Sequence, residues 1–282
     1  MPETHPFISG KWQNNILPRP TAPSWFINNQ SFAYAPNENI QSLFLGTFPT
    51  YEVVNFIRHN GNMEFFYGSK ENSFWPLLAM INGHPTNSEN DLLNLLNETN
   101  FGVTDILKKI NRKGQNSSDK DLTALEFNNL YILRNSFHKI QNIFTTSGGK
   151  SPINNGTNVS AAKWLRDSLL NFGYDVEGFN VQGYQKSIRV LQNGNMIWQF
   201  NLINLWSPSD NSNISIQGTI NNTPALLTLI NEMPAPYNEE SITIRARIIQ
   251  WSFLLSQKGF PVNPEINDML NNNHEFLDNL FQ

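Results

Sequence analysis

The segment Ser147–Ser151 (SGGKS) has the residue types of a phosphate-binding loop, because two glycines precede a lysine and a serine. A Walker loop, G-x-x-x-x-G-K-[ST], also requires a glycine at position 144, where the chain has Phe144. No G-x-S-x-G surrounds Ser147 or Ser207, so the nucleophile elbow of serine hydrolases is missing. No G-x-G-x-x-G occurs. Nucleoside triphosphate hydrolysis, serine hydrolysis and dinucleotide chemistry are therefore unsupported.

Metal chemistry also lacks a recognisable ligand set in the sequence. The chain contains no cysteine, which removes disulfides, thiolate zinc sites and iron–sulfur clusters. Its five histidines never fall three or four residues apart, the spacing that places two ligands on one helix face; they are His5, His59, His84, His138 and His274. We therefore expect no metal and no other cofactor.

Three segments retain residue types suited to a binding or catalytic site. Gly46-Thr47-Phe48-Pro49 follows a short apolar run, the aromatic segment Phe65–Trp75 contains Asn-Ser-Phe-Trp, and Ser207-Pro208-Ser209 follows a later predicted strand. In this order they resemble the uracil-DNA glycosylase superfamily. They are most similar to the branches of the mismatch-specific uracil/thymine and hypoxanthine-DNA glycosylases, which share a G-x-x-P loop and Asn-x-Phe-Trp entering a helix. The resemblance covers residues 41–210, including the intermediate segment Gly102–Arg112.

The resemblance implies base-excision repair. A glycosylase of this kind binds DNA containing a damaged or deaminated base, flips that base out and hydrolyses its N-glycosidic bond. Its site must hold the base, stabilise the charge that develops in the transition state and position a water molecule. We accordingly expect a monofunctional DNA glycosylase acting on hypoxanthine or uracil.

The resemblance also implies roles for individual residues. Asn72 would be the catalytic residue, orienting water or contacting the sugar or base through its amide. Tyr67 would stack on the flipped base, and the loop Gly46, Thr47 and Phe48 would line the base pocket, since glycine permits close approach. The residues implied to contact DNA are Ser207, Pro208, Ser209 and Lys150.

Two positions depart from the family pattern. Phe48 stands where classical members have an acid or amide that positions water, although the hypoxanthine branch also lacks a polar residue there. Trp206 precedes Ser207 where classical uracil enzymes have a histidine. These departures leave a second hypothesis open, in which an inactive or weakly active module of this fold binds nucleic acid, a nucleotide or a protein partner.

Simpler structural roles are also open. Asn72 could act only as a helix N-cap, because Pro76 requires the following helix to begin near Ser73. Tyr67 could be a core residue. An unrelated α/β hydrolase is a more distant alternative, since no Ser/His/Asp set is found.

The elements that must position these segments follow from hydrophobic periodicity. Strands are predicted at Ser42–Gly46 and Asn142–Thr146, and Asn193-Gly194 predicts a hairpin within Lys186–Trp206. Helices are predicted at 74–81, 87–97, 121–140, 160–172, 224–231 and 241–255. This order predicts an α/β fold, a three-layer sandwich with a central, mainly parallel sheet flanked by helices.

Composition limits the organisation and the partners. The 282 residues are 39% hydrophobic, enough for a sizeable core. We predict an N-terminal arm over residues 1–40 and a single glycosylase-like α/β domain over 41–282 that includes C-terminal helices. No apolar run reaches membrane-spanning length and no secretory signal is apparent, so we expect a cytoplasmic monomer without membrane contact. The net charge of −4 weighs against nucleic-acid binding, which would have to use a local basic face.

Overall fold

The computed structural model describes residues 2–9, 12, 25–27, 31–55, 63–115, 118–147, 149–153, 159–209 and 212–282. The strands in these ranges are β1 (Glu3–Thr4), β2 (Trp25–Ile27), β3 (Phe32–Tyr34), β4 (Ser42–Gly46), β5 (Phe101–Asp105), β6 (Leu107–Arg112), β7 (Leu122–Phe127), β8 (Asn142–Thr145), β9 (Asp175–Glu177), β10 (Gln185–Gln192) and β11 (Asn195–Asn204). The helices are α1 (Tyr51–Val54), α2 (Phe74–Asn82), α3 (Glu89–Thr99), α4 (Leu130–Ser136), α5 (Ala161–Asn171), α6 (Asn213–Asn221), α7 (Pro224–Asn231), α8 (Ile242–Ser256), α9 (Pro264–Asn272) and α10 (His274–Phe281).

The main sheet is mixed, with strand order β2-β3-β5-β4-β8-β11-β10-β9. The four central strands β5, β4, β8 and β11 are parallel to one another. The strands outside them pair antiparallel. A second sheet, β1-β6-β7, is entirely antiparallel.

The predicted α/β class is therefore confirmed, whereas the prediction of a mainly parallel sheet is wrong. On one side the reason is the predicted hairpin, whose residues Asn193 and Gly194 both have positive φ and reverse the chain between β10 and β11. On the other side β2 and β3 add antiparallel strands from a part of the chain in which we predicted little order.

Helices cover both faces of the main sheet. Alternate residues of β4 point to opposite faces, and Phe44 belongs to one core cluster while Leu43 and Leu45 belong to another. The Phe44 cluster includes residues of α2, α3 and α8, and the other includes residues of α5. None of the helices in the described ranges is long and apolar enough to cross a membrane.

The predicted helix 121–140 is largely wrong. Leu122–Phe127 forms β7 and pairs with β6, and the helix α4 begins only at Leu130. Asn129 causes this late start, because its side chain accepts hydrogen bonds from the backbone N–H groups of Tyr131 and Ile132. Leu125, assigned to the apolar helix face, is 44% exposed on the strand.

The described N-terminal residues pack into the body of the protein. β1 pairs with β6, and the side chains of His5, Phe7 and Trp12 are fully buried. The division of the chain at residue 40 remains a prediction.

Candidate functional site

The ends of the central parallel strands form the edge at which the predicted site residues lie. In register, Gly46 at the end of β4 is opposite Asp105 at the end of β5, and Thr145 ends β8 beside β4. β11 ends at Asn204, opposite Thr145, and leads directly to Ser207. Because parallel strands end at the same edge, the first loop (Gly46–Pro49) and the late loop (Ser207–Ser209) share one side of the sheet.

Gly46 is in close contact with two side chains. A Cβ atom at this position would lie 2.0 Å from Asp105 Oδ1 and 3.0 Å from both Cζ and Oη of Tyr67. The loop is fixed by two backbone bonds, since Ile106 N–H donates to the Gly46 carbonyl and Leu107 N–H to the Thr47 carbonyl, each at 3.0 Å. The absence of a side chain at residue 46 therefore lets Asp105 and Tyr67 converge on the strand end.

Tyr67 is held in this position by α2. Its ring stacks on Phe74 with a centroid separation of 4.0 Å and an interplanar angle of 9°, and its φ of 55° is in the left-handed region. Its hydroxyl is 3.4 Å from Thr146 Oγ1. Burial raises the pKa of Tyr67 well above its usual value, and the negative charge of Asp105 raises it further, so the phenol stays neutral.

Asp105 was not predicted as a site residue. It is buried, and its Oδ2 accepts a hydrogen bond from His5 Nε2 at 3.0 Å. Its Oδ1 makes no hydrogen bond to any residue in the described ranges. The signal for Asp105 was a carboxylate ending a short apolar strand; its partner is 100 residues away, in a segment we interpreted as an arm.

Asp119 is a second carboxylate near this loop that we did not predict. Thr47 Oγ1 donates to Asp119 Oδ1 at 2.6 Å, which attaches the turn at Asp119–Asp121 to the end of β4. Burial raises the pKa of Asp119 to about 6; the hydrogen bond from Thr47 opposes this rise, whereas Asp105 adds to it. Two carboxylates, Asp105 and Asp119, therefore lie near the Gly46–Pro49 loop.

Phe48 points into the core. Its side chain is buried, its ring centroid is 5.3 Å from that of His5, and the Arg112 guanidinium lies 5.8 Å from the ring centre. The same Arg112 donates to the Pro49 carbonyl at 2.7 Å and pairs with Glu3 at 3.1 Å. These contacts hold the first loop in place on the side away from α2, the helix on which Tyr67 stacks.

Asn72 lies just before α2. Its Oδ1 accepts the backbone N–H of Phe74 at 2.9 Å, so the side chain serves the start of the helix in the way a cap does. The Ser73 side chain makes no capping bond. Asn72 Nδ2 has no hydrogen-bond partner among the residues described, which leaves two N–H donors for a ligand.

The late loop is organised by Arg247 of α8. Arg247 is 2% exposed and donates to the carbonyls of Ser207 and Ser209 at 2.8 and 3.0 Å, and to Ser212 Oγ at 2.7 Å. Pro208 is buried beneath the loop. Asp210 and Asn211 lie outside the described residues. Ile214, in the first turn of α6, is 87% exposed.

Lys150 follows β8 on the same side of the sheet. Its Nζ lies 5.3 Å from the ring centre of Tyr184, whose hydroxyl accepts a hydrogen bond from Trp206 Nε1 at 2.7 Å. Lys150 and the late loop are thus connected through Tyr184. Beneath them the buried Lys186 donates to the carbonyls of Val181 and Gly183 at 2.6 and 2.8 Å and fixes the neighbouring backbone.

The cluster of Gly46, Tyr67, Asp105 and Thr146, here called the strand-end cluster, brings a carboxylate, a phenol and a hydroxyl to one strand end. A carboxylate oxygen without a hydrogen-bond partner can accept a proton, and a neutral phenol and a hydroxyl can hold a water molecule or a polar ligand. Within the described ranges, no three His, Asp or Glu side chains are grouped as metal ligands would be.

Comparison with known proteins gives little further information. The sequence matches no known family profile and no curated protein. A solution NMR structure of a candidate uracil DNA glycosylase from Methanosarcina acetivorans is similar to 38% of this chain, with 26% identity and a TM-score of 0.30. The match spans 63% of the length of that protein. Similarity at this level establishes neither the fold nor the function of the present chain.

Proposed function

We propose that the chain is a DNA glycosylase that hydrolyses the bond between deoxyribose and a flipped deaminated base, hypoxanthine or uracil. The observation that carries the proposal is the convergence of Gly46 and Tyr67 at one strand end beside the carboxylate of Asp105. The resemblance assigns both Gly46 and Tyr67 to the base pocket, although they are separated in sequence. A proton-accepting group beside them compensates for the lack of a polar side chain at Phe48.

In this proposal the base binds against the Gly46–Thr47 backbone and the aromatic ring of Tyr67. Stacking of a base on an aromatic side chain contributes about 1–3 kcal/mol. The two N–H donors of Asn72 bind the base, the sugar or the attacking water. Ser207, Ser209 and Lys150 bind the DNA backbone, and their location on the same side of the sheet as the strand-end cluster supports this part.

The proposal is tested by measuring base release from oligonucleotides that contain a single hypoxanthine, uracil or xanthine, in single-stranded and duplex form. Cleavage of the resulting abasic site by alkali reports the product. The expected result is time-dependent release of at least one base. No abasic product from any substrate with folded protein would overturn the proposal.

Two variants separate the catalytic and capping roles of Asn72. Asn72→Asp keeps an acceptor for the Phe74 N–H but removes both amide donors, whereas Asn72→Ala removes the acceptor as well. We expect both variants to lose about 100-fold in rate, the usual effect of removing a preorganised donor, and only Asn72→Ala to lose the cap's contribution of about 1 kcal/mol. If N72D has wild-type activity, Asn72 is a cap alone.

A nucleic-acid-binding module without catalysis is the second candidate. It is favoured by the apolar Phe48 in the first loop and by Trp206 at the position where classical uracil enzymes have a histidine. Measurable affinity for the same oligonucleotides without base release would support it.

A further inference from the structure

The two oxygens of Asp105 have different surroundings. Oδ2 accepts the hydrogen bond from His5, while Oδ1 lies against Gly46, at the point where a Cβ atom would be excluded. No Lys or Arg in the described part of the chain pairs with this carboxylate. Because a buried charge without a cation is costly, such a group is more often found at a functional site than in an ordinary core.

His5 is a neutral donor to Asp105. Its Nδ1 accepts the backbone N–H of Phe7 at 3.2 Å, so Nδ1 carries no proton and Nε2 carries the one that points to Asp105. Burial lowers the pKa of His5 against the opposing effect of Asp105, which agrees with a neutral ring. The ring is enclosed by aromatic neighbours, including Trp12 and Phe32 with centroids at 5.1 and 4.6 Å. This enclosure fixes the ring's orientation.

Hydrolysis of the glycosidic bond consumes a water molecule, which loses a proton during the reaction. Neither the amide of Asn72 nor the ring of Phe48 can accept that proton. Asp119 already accepts a hydrogen bond from Thr47 and has Arg112 nearby. Asp105 Oδ1 has no such partner among the described residues, and it lies beside Gly46 and Tyr67.

We propose that Asp105 is the general base of the glycosylase reaction and that His5 is its positioning residue; this assignment rests on the proposed function. The water oxygen bonds to C1′ of deoxyribose while Oδ1 takes a proton from that water. The electrons of the C1′–N bond leave with the base, which takes up a proton from solvent. Asp105 then returns its proton to water, and the products are the free base and an abasic sugar.

The first test compares Asp105→Asn with the wild type on any substrate that the wild type processes. Single-turnover rates should fall about 100-fold or more, because general-base catalysis typically contributes 10²–10⁴-fold. The matched control is Asp268→Asn, an exposed carboxylate on α9 that should keep the wild-type rate. Circular dichroism and thermal unfolding establish that each variant is folded.

The second test acts through His5. His5→Phe keeps an aromatic ring among its neighbours and removes the donor, whereas His5→Gln keeps an N–H donor. We expect the rate of base release by H5F to fall about tenfold at pH 7. The acid-side midpoint of its pH–rate profile should move to higher pH, since the charged carboxylate has lost a stabilising donor. H5Q should recover part of both effects. The other ionisable groups at the strand ends, Tyr67, Asp119 and Arg112, are the same in both variants.

The outcomes distinguish this assignment from the proposed function. Base release by D105N within threefold of the wild type would overturn the assignment and leave the proposed function standing. No base release by the wild type would overturn both. If D105N does not fold, an H5F variant with the wild-type rate and pH profile overturns the assignment, and the expected shift supports it.

Discussion

A side chain at position 46 would overlap the carboxylate of Asp105. The carboxylate cannot simply rotate away, because its other oxygen is bound to a buried imidazole. The glycine of the first loop is therefore required by a side chain from the neighbouring strand, in addition to any ligand that the loop binds.

Gly46→Ala should lower the free energy of unfolding by about 1–3 kcal/mol, the usual effect of overpacking, and should abolish base release. Gly218→Ala is the matched control, because a Cβ atom there meets no atom within 4 Å and alanine favours the α6 helix. Urea denaturation measures the stability of both variants, and the base-release assay measures their activity. Equal stability of G46A and the wild type would mean that Asp105 is free to move.

Among the secondary-structure elements, the connection between β6 and β7 is attached to the first loop by a hydrogen bond. Thr47 donates to Asp119, and Asp119 lies in the 3-10 turn that leads into β7. The helix predicted over residues 121–140 would have started within this turn. The turn and strand instead place a carboxylate against the end of β4.

Asp119 gives this attachment a pH dependence. Its pKa is raised from 3.8 to about 6 in the folded protein, so its contribution to stability is fully present below about pH 4 and is lost as the pH rises through 6. Asp119→Asn keeps an acceptor for Thr47 and removes the titration. The free energy of unfolding of D119N, minus that of the wild type, should be about 2 kcal/mol larger at pH 7.5 than at pH 4. Urea denaturation at both pH values tests this; an unchanged difference would contradict it.

The sequence predicted elements best where local chemistry decides them. β4 and α7 have their predicted bounds, and the Asn193-Gly194 hairpin is confirmed. The helix predicted over residues 121–140 is wrong before Leu130, because the pairing of β7 with β6 is a tertiary contact that the local spacing of apolar residues does not reveal. The motif predicted Gly46 and Tyr67 as neighbours, but His5 and Asp105 meet only through the fold.

In the whole molecule, one end of β11 lies on the same side of the sheet as the strand-end cluster, and the other end lies on the opposite side. β11 runs from the Asn193-Gly194 hairpin to the late loop, so Met196 and Ile214 lie near opposite ends of that strand. Both are exposed, by 57% and 87%. Because the net charge is −4, the proposed contact with DNA must depend on local groups, and an exposed apolar side chain beside the late loop can enter a base step.

Ile214→Ser should reduce base release from duplex DNA several-fold and leave release from single-stranded DNA unchanged, because only the duplex has base pairs that must be opened. The melting temperature should not change, since the side chain is exposed. Met196→Ser, at the far end of β11, should behave as the wild type on both substrates. Equal losses for the two variants, or equal losses on both substrates, would exclude a wedge at Ile214.

The bond between His5 and Asp105 also orders events during translation. The imidazole leaves the ribosome before its carboxylate partner, which is synthesised 100 residues later. β1 must likewise wait for β6, its partner in the small sheet. Since chains fold as they emerge from the amino terminus, the nascent His5 stays unpaired until β5 has appeared. The pair is therefore completed by a late, long-range step, which is sensitive to anything that captures the segment around His5 before β5 appears.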